Sequence, residues 1–135
     1  MKKVLNVDDD YDFSILGISC HAKDYRLCWE INRALQIDLE KQNDILSNNY
    51  PDVSYSNAFY NDEENHLEFV LLSNKSEGGM VIPEYPQLDY FLKISGPQHE
   101  YSIADYKNKL QNIDLVLAAI ELDPQNLRSK FNLVF

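Results

Sequence analysis

A proline-rich stretch, MVIPEYPQLDYFLKIS, contains two carboxylates that could do chemistry. Pro83 and Pro86 fix their own φ and push the preceding residues toward extended conformations, which predicts a stiff bend. Glu84 lies in this bend, and Asp89 and Tyr90 follow it. Two carboxylates beside a rigid bend can bind a cation or act as acid and base, but they can also hold the bend through charge-assisted hydrogen bonds. We expect the structural role first, and a binding site at Glu84, Asp89 and Tyr90 as the alternative.

Three aspartates near the start of the chain have the spacing that opens a calcium-binding loop. They are Asp8, Asp10 and Asp12. An EF-hand also needs glycine at its sixth position and glutamate at its twelfth, where this chain has Phe13 and Ser19. The pattern therefore predicts a solvated acidic turn before a strand, and no metal site.

The cysteines and histidines match no motif for a metal ligand set or a nucleophile. His21 lies beside Cys20, whereas His66 and His99 are scattered. A helix joining Cys20 to Cys28 would hold their Cα atoms too far apart for a disulfide. We expect reduced thiols and no cofactor. The weakest alternatives are a metal site, either at the three aspartates or at Cys20 and His21, and a Cys20 nucleophile.

An aromatic pair distinguishes the helix predicted over 23–36. Tyr25 and Trp29 are spaced i, i+4, on the side opposite the apolar stripe of that helix. Arg26 and Arg33 border them. Trp, Tyr and Arg are the residues that dominate interface hot spots. This face is expected to be covered by another part of the chain, or else by a protein partner, of which a homodimer is the simplest.

Period-two alternation predicts most of the strands. They are 10–19, a short one within 37–45, 53–60, 66–73 and 88–95. The segments 53–60 and 66–73 form a predicted hairpin, and 48–52 a predicted turn. In the last strand Leu88, Tyr90, Leu92 and Ile94 share one predicted face, and Asp89, Phe91 and Lys93 the other. Asp89 is expected either to accept hydrogen bonds from backbone N–H groups of the bend or to pair with a cation such as Lys93 or Arg26.

The C-terminal third allows two interpretations. Apolar residues at alternating steps of three and four over 103–120 suit one long helix. Alternatively a helix ends near Asn112 and 115–122 is a buried strand, which we favour. The tail 129–135 alternates, which predicts a last edge strand.

This order of elements predicts a fold class. It reads βαβ, then several strands, then αβ, which is typical of an α+β protein. We expect one domain over 1–135, a two-layer sandwich with a largely antiparallel sheet and about two helices packed on one face. A chain of 135 residues is long enough to bury a core of this kind.

Composition excludes several classes of partner. The formal net charge of −10 repels phosphate backbones, so we expect no nucleic-acid partner. The longest apolar run, FVLL at 69–72, is too short to cross a membrane. The basic start MKK is followed by no apolar signal core. We therefore expect a cytoplasmic protein without a membrane partner.

Two short segments resemble a known signature. IPE at 82–84 and, after three residues, LDY at 88–90 resemble the motif of the bacterial IPExxxVDY family, with Leu88 in place of valine. Other segments that resemble the family are KDYRLCW, LLSNKS and SKFNLVF. The resemblance implies a bacterial cytoplasmic single domain and assigns no catalytic residue.

The sequence is consistent with two kinds of function. The first is a non-enzymatic protein-interaction or structural module that self-associates through the face of Tyr25 and Trp29. The second is a small enzyme or ligand-binding domain that uses Glu84 and Asp89 near the 83–90 bend. Because the residues show no enzyme signature, we expect the first.

Overall fold

The computed structural model describes residues 12–46 and 53–135 of the chain. Asp8, Asp10 and the turn predicted at 48–52 lie outside the described residues. Within these ranges the chain forms two α-helices, α1 (Asp24–Leu35) and α2 (Ile103–Gln111). The strands of the same ranges are β1 (Phe13–Ser19), β2 (Glu40–Lys41), β3 (Ile45–Leu46), β4 (Ser54–Tyr55), β5 (Asn57–Asp62), β6 (Leu67–Ser73), β7 (Lys75–Ser76), β8 (Gly79–Met80), β9 (Tyr90–Ser95) and β10 (Ala118–Leu122).

Six of these strands form one antiparallel sheet in the order β10-β1-β9-β6-β5-β2. Strand β1 lies inside the sheet, where Leu16 pairs with Leu92 of β9 and Gly17 with Ile120 of β10. The apolar residues of β1 alternate between two faces, and both faces are buried. The hairpin predicted for 53–60 and 66–73 is confirmed by the pairing of β5 with β6.

Both helices pack on the same face of this sheet. Their buried residues belong to one apolar cluster with the inward side chains of β1, β6 and β9. The helical members are Leu27, Ile31, Leu35, Ile103 and Leu110. A second cluster fills the opposite face and includes Phe13, Ile15, Val81, Ile82, Leu88, Phe91, Leu127 and Leu133. The predicted α+β sandwich with two helices on one face is thus confirmed.

The order favoured for the C-terminal third, a helix and then a strand, is also confirmed, but the predicted burial of the strand is wrong because β10 is only half buried. Helix α2 ends at Gln111, and β10 pairs with β1. The side-chain amide of Gln111 donates to the carbonyl of Ala119 at 3.0 Å, which ties the end of the helix to the strand.

The face predicted for Leu88 is wrong. The N–H of Leu88 donates to the carbonyl of Tyr85 at 3.1 Å within a turn, and β9 begins only at Tyr90. The Leu88 side chain packs on the opposite face, against Gly17 of β1, where a Cβ would overlap it. Glycine at position 17 therefore makes room for Leu88.

The predicted edge strand at 129–135 is wrong as well. Residues Lys130–Leu133 form a short 3-10 turn. Asn132 donates its side-chain amide to the carbonyl of Val81 at 2.8 Å, and Lys93 donates to the carbonyl of Leu133 at 2.6 Å. Side chains rather than a neighbouring strand therefore hold this segment against the sheet.

Candidate functional site: a groove beside helix α1

Helix α1 forms because one stripe of its surface is apolar and buried. Leu27 and Ile31 are fully buried, and Leu35 is nearly so. Asp24 lies in the first turn, where its charge favours the positive end of the helix dipole. Gln36 ends the helix in the left-handed region at φ 57°. The same turning angle that buries the stripe directs Tyr25 and Trp29 away from the core.

The aromatic face of α1 is open. Tyr25 is 72% exposed and Trp29 is 54% exposed, so the expectation that another part of the chain covers them is wrong for the described residues. The guanidinium of Arg33 lies over the indole of Trp29, 4.8 Å from its centroid. Arg33 also approaches Glu30 at 3.7 Å. Large aromatic side chains on a protein surface are typical of contact sites.

These aromatic residues form one wall of a groove of about 490 Å³. The α1 wall consists of Asp24, Tyr25, Cys28, Trp29 and Asn32. The wall from the sheet and its flanking residues consists of Lys41, Ser56, Asn57, Ala58, Leu71, Ser73 and Tyr90. The groove follows the β2–β5 side of the sheet, next to α1. Its volume is in the range of sites that take a drug-sized ligand or several side chains. We refer to it below as the α1 groove.

The polar side chains at the rim of the α1 groove already have partners within the fold. Ser56 donates its hydroxyl to the carboxylate of Asp24 at 2.5 Å. The ammonium of Lys41 donates to Ser56 Oγ at 2.7 Å and to the carboxylate of Asp44 at 3.2 Å. No buried side-chain nitrogen or oxygen among the described residues lacks a partner. The groove therefore offers mainly apolar and aromatic surface to a ligand or a partner protein.

Tyr90 and Cys28 carry no reactive charge at neutral pH. Burial, and then the charge of Asp24, raises the pKa of Tyr90 to about 12. Burial also raises the pKa of the Cys28 thiol, with a smaller contribution from the carboxylates of Asp24 and Asp38. Because the thiolate is the nucleophilic form, Cys28 is not activated. The arrangement of these residues suits binding rather than covalent chemistry.

Glu84 forms hydrogen bonds with the C-terminal segment. Its two carboxylate oxygens accept from the N–H and the hydroxyl of Ser129, both at 2.9 Å. Burial raises the pKa of Glu84, but the hydrogen bonds from Ser129, together with the backbone N–H groups of Glu84 and Arg128, outweigh it and hold the pKa below its ordinary value. Glu84 thus joins the bend to the end of the chain.

Asp89 links three segments. One carboxylate oxygen accepts from the backbone N–H of Cys20 at 2.8 Å, and the other from Lys75 at 3.0 Å. The pairing predicted with Lys93 or Arg26 is replaced by this contact with Lys75. Arg26 is exposed on α1. Asp89 therefore fixes the start of β9 against the end of β1.

The side chain of Asn74 organises the bend itself. It is fully buried and accepts from the N–H of Ile82 at 2.8 Å. Its amide donates to the carbonyls of Leu88 at 2.8 Å and Tyr85 at 3.2 Å. One asparagine thus satisfies backbone groups along the whole 82–88 segment, which explains how an irregular loop can be buried.

The structure brings together part of what the sequence indicates. Tyr25, Trp29 and Tyr90 meet in the α1 groove, whereas Glu84 and Asp89 do not line it. Its other walls, such as Ala58 and Leu71, come from distant segments. The sequence does not identify them as residues of a binding groove, because small and apolar residues in a predicted strand indicate only that the strand contributes to a core.

Among the described residues, no cluster of three or more His, Cys, Asp or Glu side chains is arranged to hold a metal ion. In the same part of the chain, neither helix has the length and apolar character needed to cross a membrane. The fold and the groove define a small α+β protein with a candidate binding surface. Comparison with known protein families gives no match, and comparison with curated proteins gives none.

Proposed function

We propose that this protein is an interaction module that self-associates through the exposed face of α1 and the α1 groove. The observation that carries the proposal is the exposure of Trp29, the only tryptophan of the chain, at the edge of an apolar groove. Contact between water and so much aromatic surface is unfavourable, so burying this surface against a second one would lower the free energy. The proposal includes a bacterial cytoplasmic setting, which the IPE and LDY segments support through their resemblance to the IPExxxVDY family.

The pattern of side chains on α1 favours a second copy as the partner. Tyr25, Trp29 and Arg33 follow one another at intervals of four residues, so they form a ridge along the helix. In a two-fold symmetric contact between antiparallel helices centred on Trp29, Tyr25 of one copy faces Arg33 of the other. Arg33 already lies over an aromatic ring within its own helix, and arginine over a tyrosine ring is favourable. The ridge is therefore complementary to itself, as a two-fold interface requires.

We prefer this function to a site at the bend because of how the bend carboxylates are bonded. Glu84 accepts two hydrogen bonds from Ser129, and Asp89 accepts from Cys20 and Lys75. A ligand would have to replace these contacts, at the expense of the packing of the chain. The groove requires no such replacement.

Light scattering after size exclusion tests the proposal. The wild type is expected to form a dimer as its concentration rises, whereas Trp29→Ala is expected to stay monomeric. Tyr101→Ala provides the matched control, because Tyr101 is also an exposed aromatic residue, at 82%, but does not line the groove. A wild type that is monomeric throughout the series, or a Trp29→Ala variant that dimerises equally well, would contradict self-association through this surface.

A further inference from the structure

A serine, a histidine and an aspartate far apart in the sequence form a hydrogen-bonded relay at one end of the sheet. The hydroxyl oxygen of Ser14 lies 2.7 Å from Nδ1 of His99, and Nε2 of His99 lies 2.9 Å from the carboxylate of Asp12. Ser14 and His99 are each only 6% exposed, whereas the Asp12 side chain is 74% exposed. None of the three lines the α1 groove.

The fold holds these residues in place. Ser14 pairs with Ile94 of β9, so its position is set by the sheet. The chain leaves β9 through Gly96, at φ 139°, where a Cβ would overlap the carbonyl of His66. The N–H of His99 then donates to the carbonyl of Gly96 at 3.3 Å. This glycine turn brings the imidazole back over Ser14.

The hydrogen bonds assign a role to each group. When Asp12 is ionised and His99 is neutral, the carboxylate can only accept, which places the imidazole proton on Nε2. Nδ1 is then the acceptor, and the Ser14 hydroxyl must donate to it. A serine that donates to a histidine whose second nitrogen is oriented by a carboxylate is the arrangement of an activated nucleophile. We infer that Ser14 is a nucleophile with His99 as its general base, that Asp12 is a positioning residue, and that the substrate is a small ester with a positive charge.

The positive charge inferred for the substrate follows from the acidic side chains around Ser14 and His99. Ser14 and His99 line a cavity of about 680 Å³. Its wall contains four carboxylates, on Asp12, Glu100, Glu121 and Asp123, and no lysine or arginine among the described residues. Such a wall attracts cations and repels anions. A cationic ester therefore reaches Ser14 more readily than an anionic one.

The reaction is a hydrolysis in two halves. Ser14 Oγ forms a bond to the carbonyl carbon of the ester and gives its proton to Nδ1 of His99. The bond from that carbon to the leaving alcohol or thiol then breaks, and the leaving group takes the proton from His99. Water then attacks the acyl carbon and gives a proton to Nδ1 of His99. The bond from that carbon to Ser14 Oγ breaks, Ser14 Oγ takes the proton back from His99, and the carboxylic acid leaves. Ester and water become acid and alcohol or thiol, with no other reactant.

Thioester hydrolysis by the full-length protein tests this inference. Acetylthiocholine serves as the cationic probe and S-acetylthioglycolate as its anionic counterpart, with thiol release followed in both cases. We expect the wild type to hydrolyse acetylthiocholine faster than buffer and to prefer it over the anionic thioester. Ser14→Ala and His99→Gln should each lower that rate by at least about 100-fold, and peptide mass spectrometry should find acetyl on Ser14 of the wild type.

Variants at the exposed Asp12 keep the test decisive if a change at buried Ser14 unfolds the protein. Asp12→Asn should lower the rate because an asparagine amide can donate to Nε2 and so reverse the imidazole tautomer. Asp12→Glu keeps a carboxylate acceptor for Nε2 and should recover part of the rate that Asp12→Asn loses. Glu100→Gln should raise KM for acetylthiocholine more than for the anionic thioester. A folded wild type no faster than buffer, or Ser14→Ala and Asp12→Asn proteins with wild-type rates, would overturn the inference.

Discussion

The guanidinium of Arg33 lies 4.8 Å from the centre of the Trp29 ring, on a face of α1 that the described residues leave open to solvent. A buried tryptophan needs no such neighbour. At an exposed position, the cation keeps one side of the indole partly covered and holds its orientation. A surface that is ordered before contact loses less entropy when a partner arrives. This relationship is a second reason, beside the exposure of Trp29, to place the proposed interaction on α1.

Ionic strength provides the first prediction. Each copy carries a formal net charge of −10, so two copies repel each other at long range. The screening length falls from about 30 Å at 0.01 M salt to about 8 Å at 0.15 M. We expect the dimer Kd to fall by at least about twofold over this change, measured by sedimentation equilibrium. A Kd that rises with added salt would indicate instead an attraction between opposite charges.

Asn74 provides the second prediction, about stability. Replacing Asn74 by alanine leaves the buried N–H of Ile82 and the carbonyl of Leu88 without their partner. We expect a loss of about 3 kcal/mol or more in the free energy of unfolding, from urea denaturation. The exposed Asn126 is the control, because Asn126→Ala should change that free energy by less than about 1 kcal/mol. Equal effects of the two variants would show that Asn74 does not hold the bend.

The third prediction concerns Glu84 and acid. Because hydrogen bonds from Ser129 keep the pKa of Glu84 below its ordinary value of 4.5, the ionised form stabilises the folded state. This stabilisation is complete above pH 4.5 and is lost as pH falls through the lowered pKa. Glu84→Gln should therefore lower Tm at neutral pH and have a smaller effect at about pH 3. A Tm difference that does not depend on pH would contradict a role for the charge.

The fourth prediction concerns Lys93, which donates to the carbonyl of Leu133. Burial lowers the pKa of Lys93 to about 8, against a smaller opposite effect of Glu68. The unfolded chain then binds more protons than the folded one between about pH 8 and 10.5, so stability rises with pH in that window. Tyr90, with its pKa raised to about 12, has the opposite effect above pH 10. The raised pKa values of the Cys20 and Cys28 thiols oppose the Lys93 effect in this window, but they are common to the wild type and Lys93→Met. Denaturation should therefore show that the wild type gains free energy of unfolding relative to Lys93→Met between about pH 7.5 and 9.5.

The regular elements were accessible from the sequence, because their periodicity follows directly from packing. The stripe that includes Leu27 and Ile31 predicts α1, and the alternation after Tyr90 predicts β9. The tail 129–135 was misleading for a physical reason. Hydrogen bonds from the side chains of Asn132 and Lys93 hold this segment against the rest of the fold. Its apolar residues can therefore pack there without pairing with a strand at the edge of the sheet.

The candidate sites were accessible only in part. The sequence indicates Tyr25 and Trp29, because the period of a helix shows which residues lie opposite its buried stripe. It does not show that β5 and β6 supply the other wall of the groove, since that depends on the order of strands in the sheet. The relay of Ser14 with His99 was missed for the same reason, because 85 residues separate the two.

The emission of Trp29 on dilution tests the central claim most directly, because the chain contains no other tryptophan. If two copies cover the face of α1, concentrated protein should emit at shorter wavelength and resist quenching by iodide. Dilution should then shift the emission to longer wavelength and restore quenching, with the same midpoint as the change in mass by light scattering. Emission typical of a solvent-exposed indole at every concentration, with quenching that does not change, would contradict the claim.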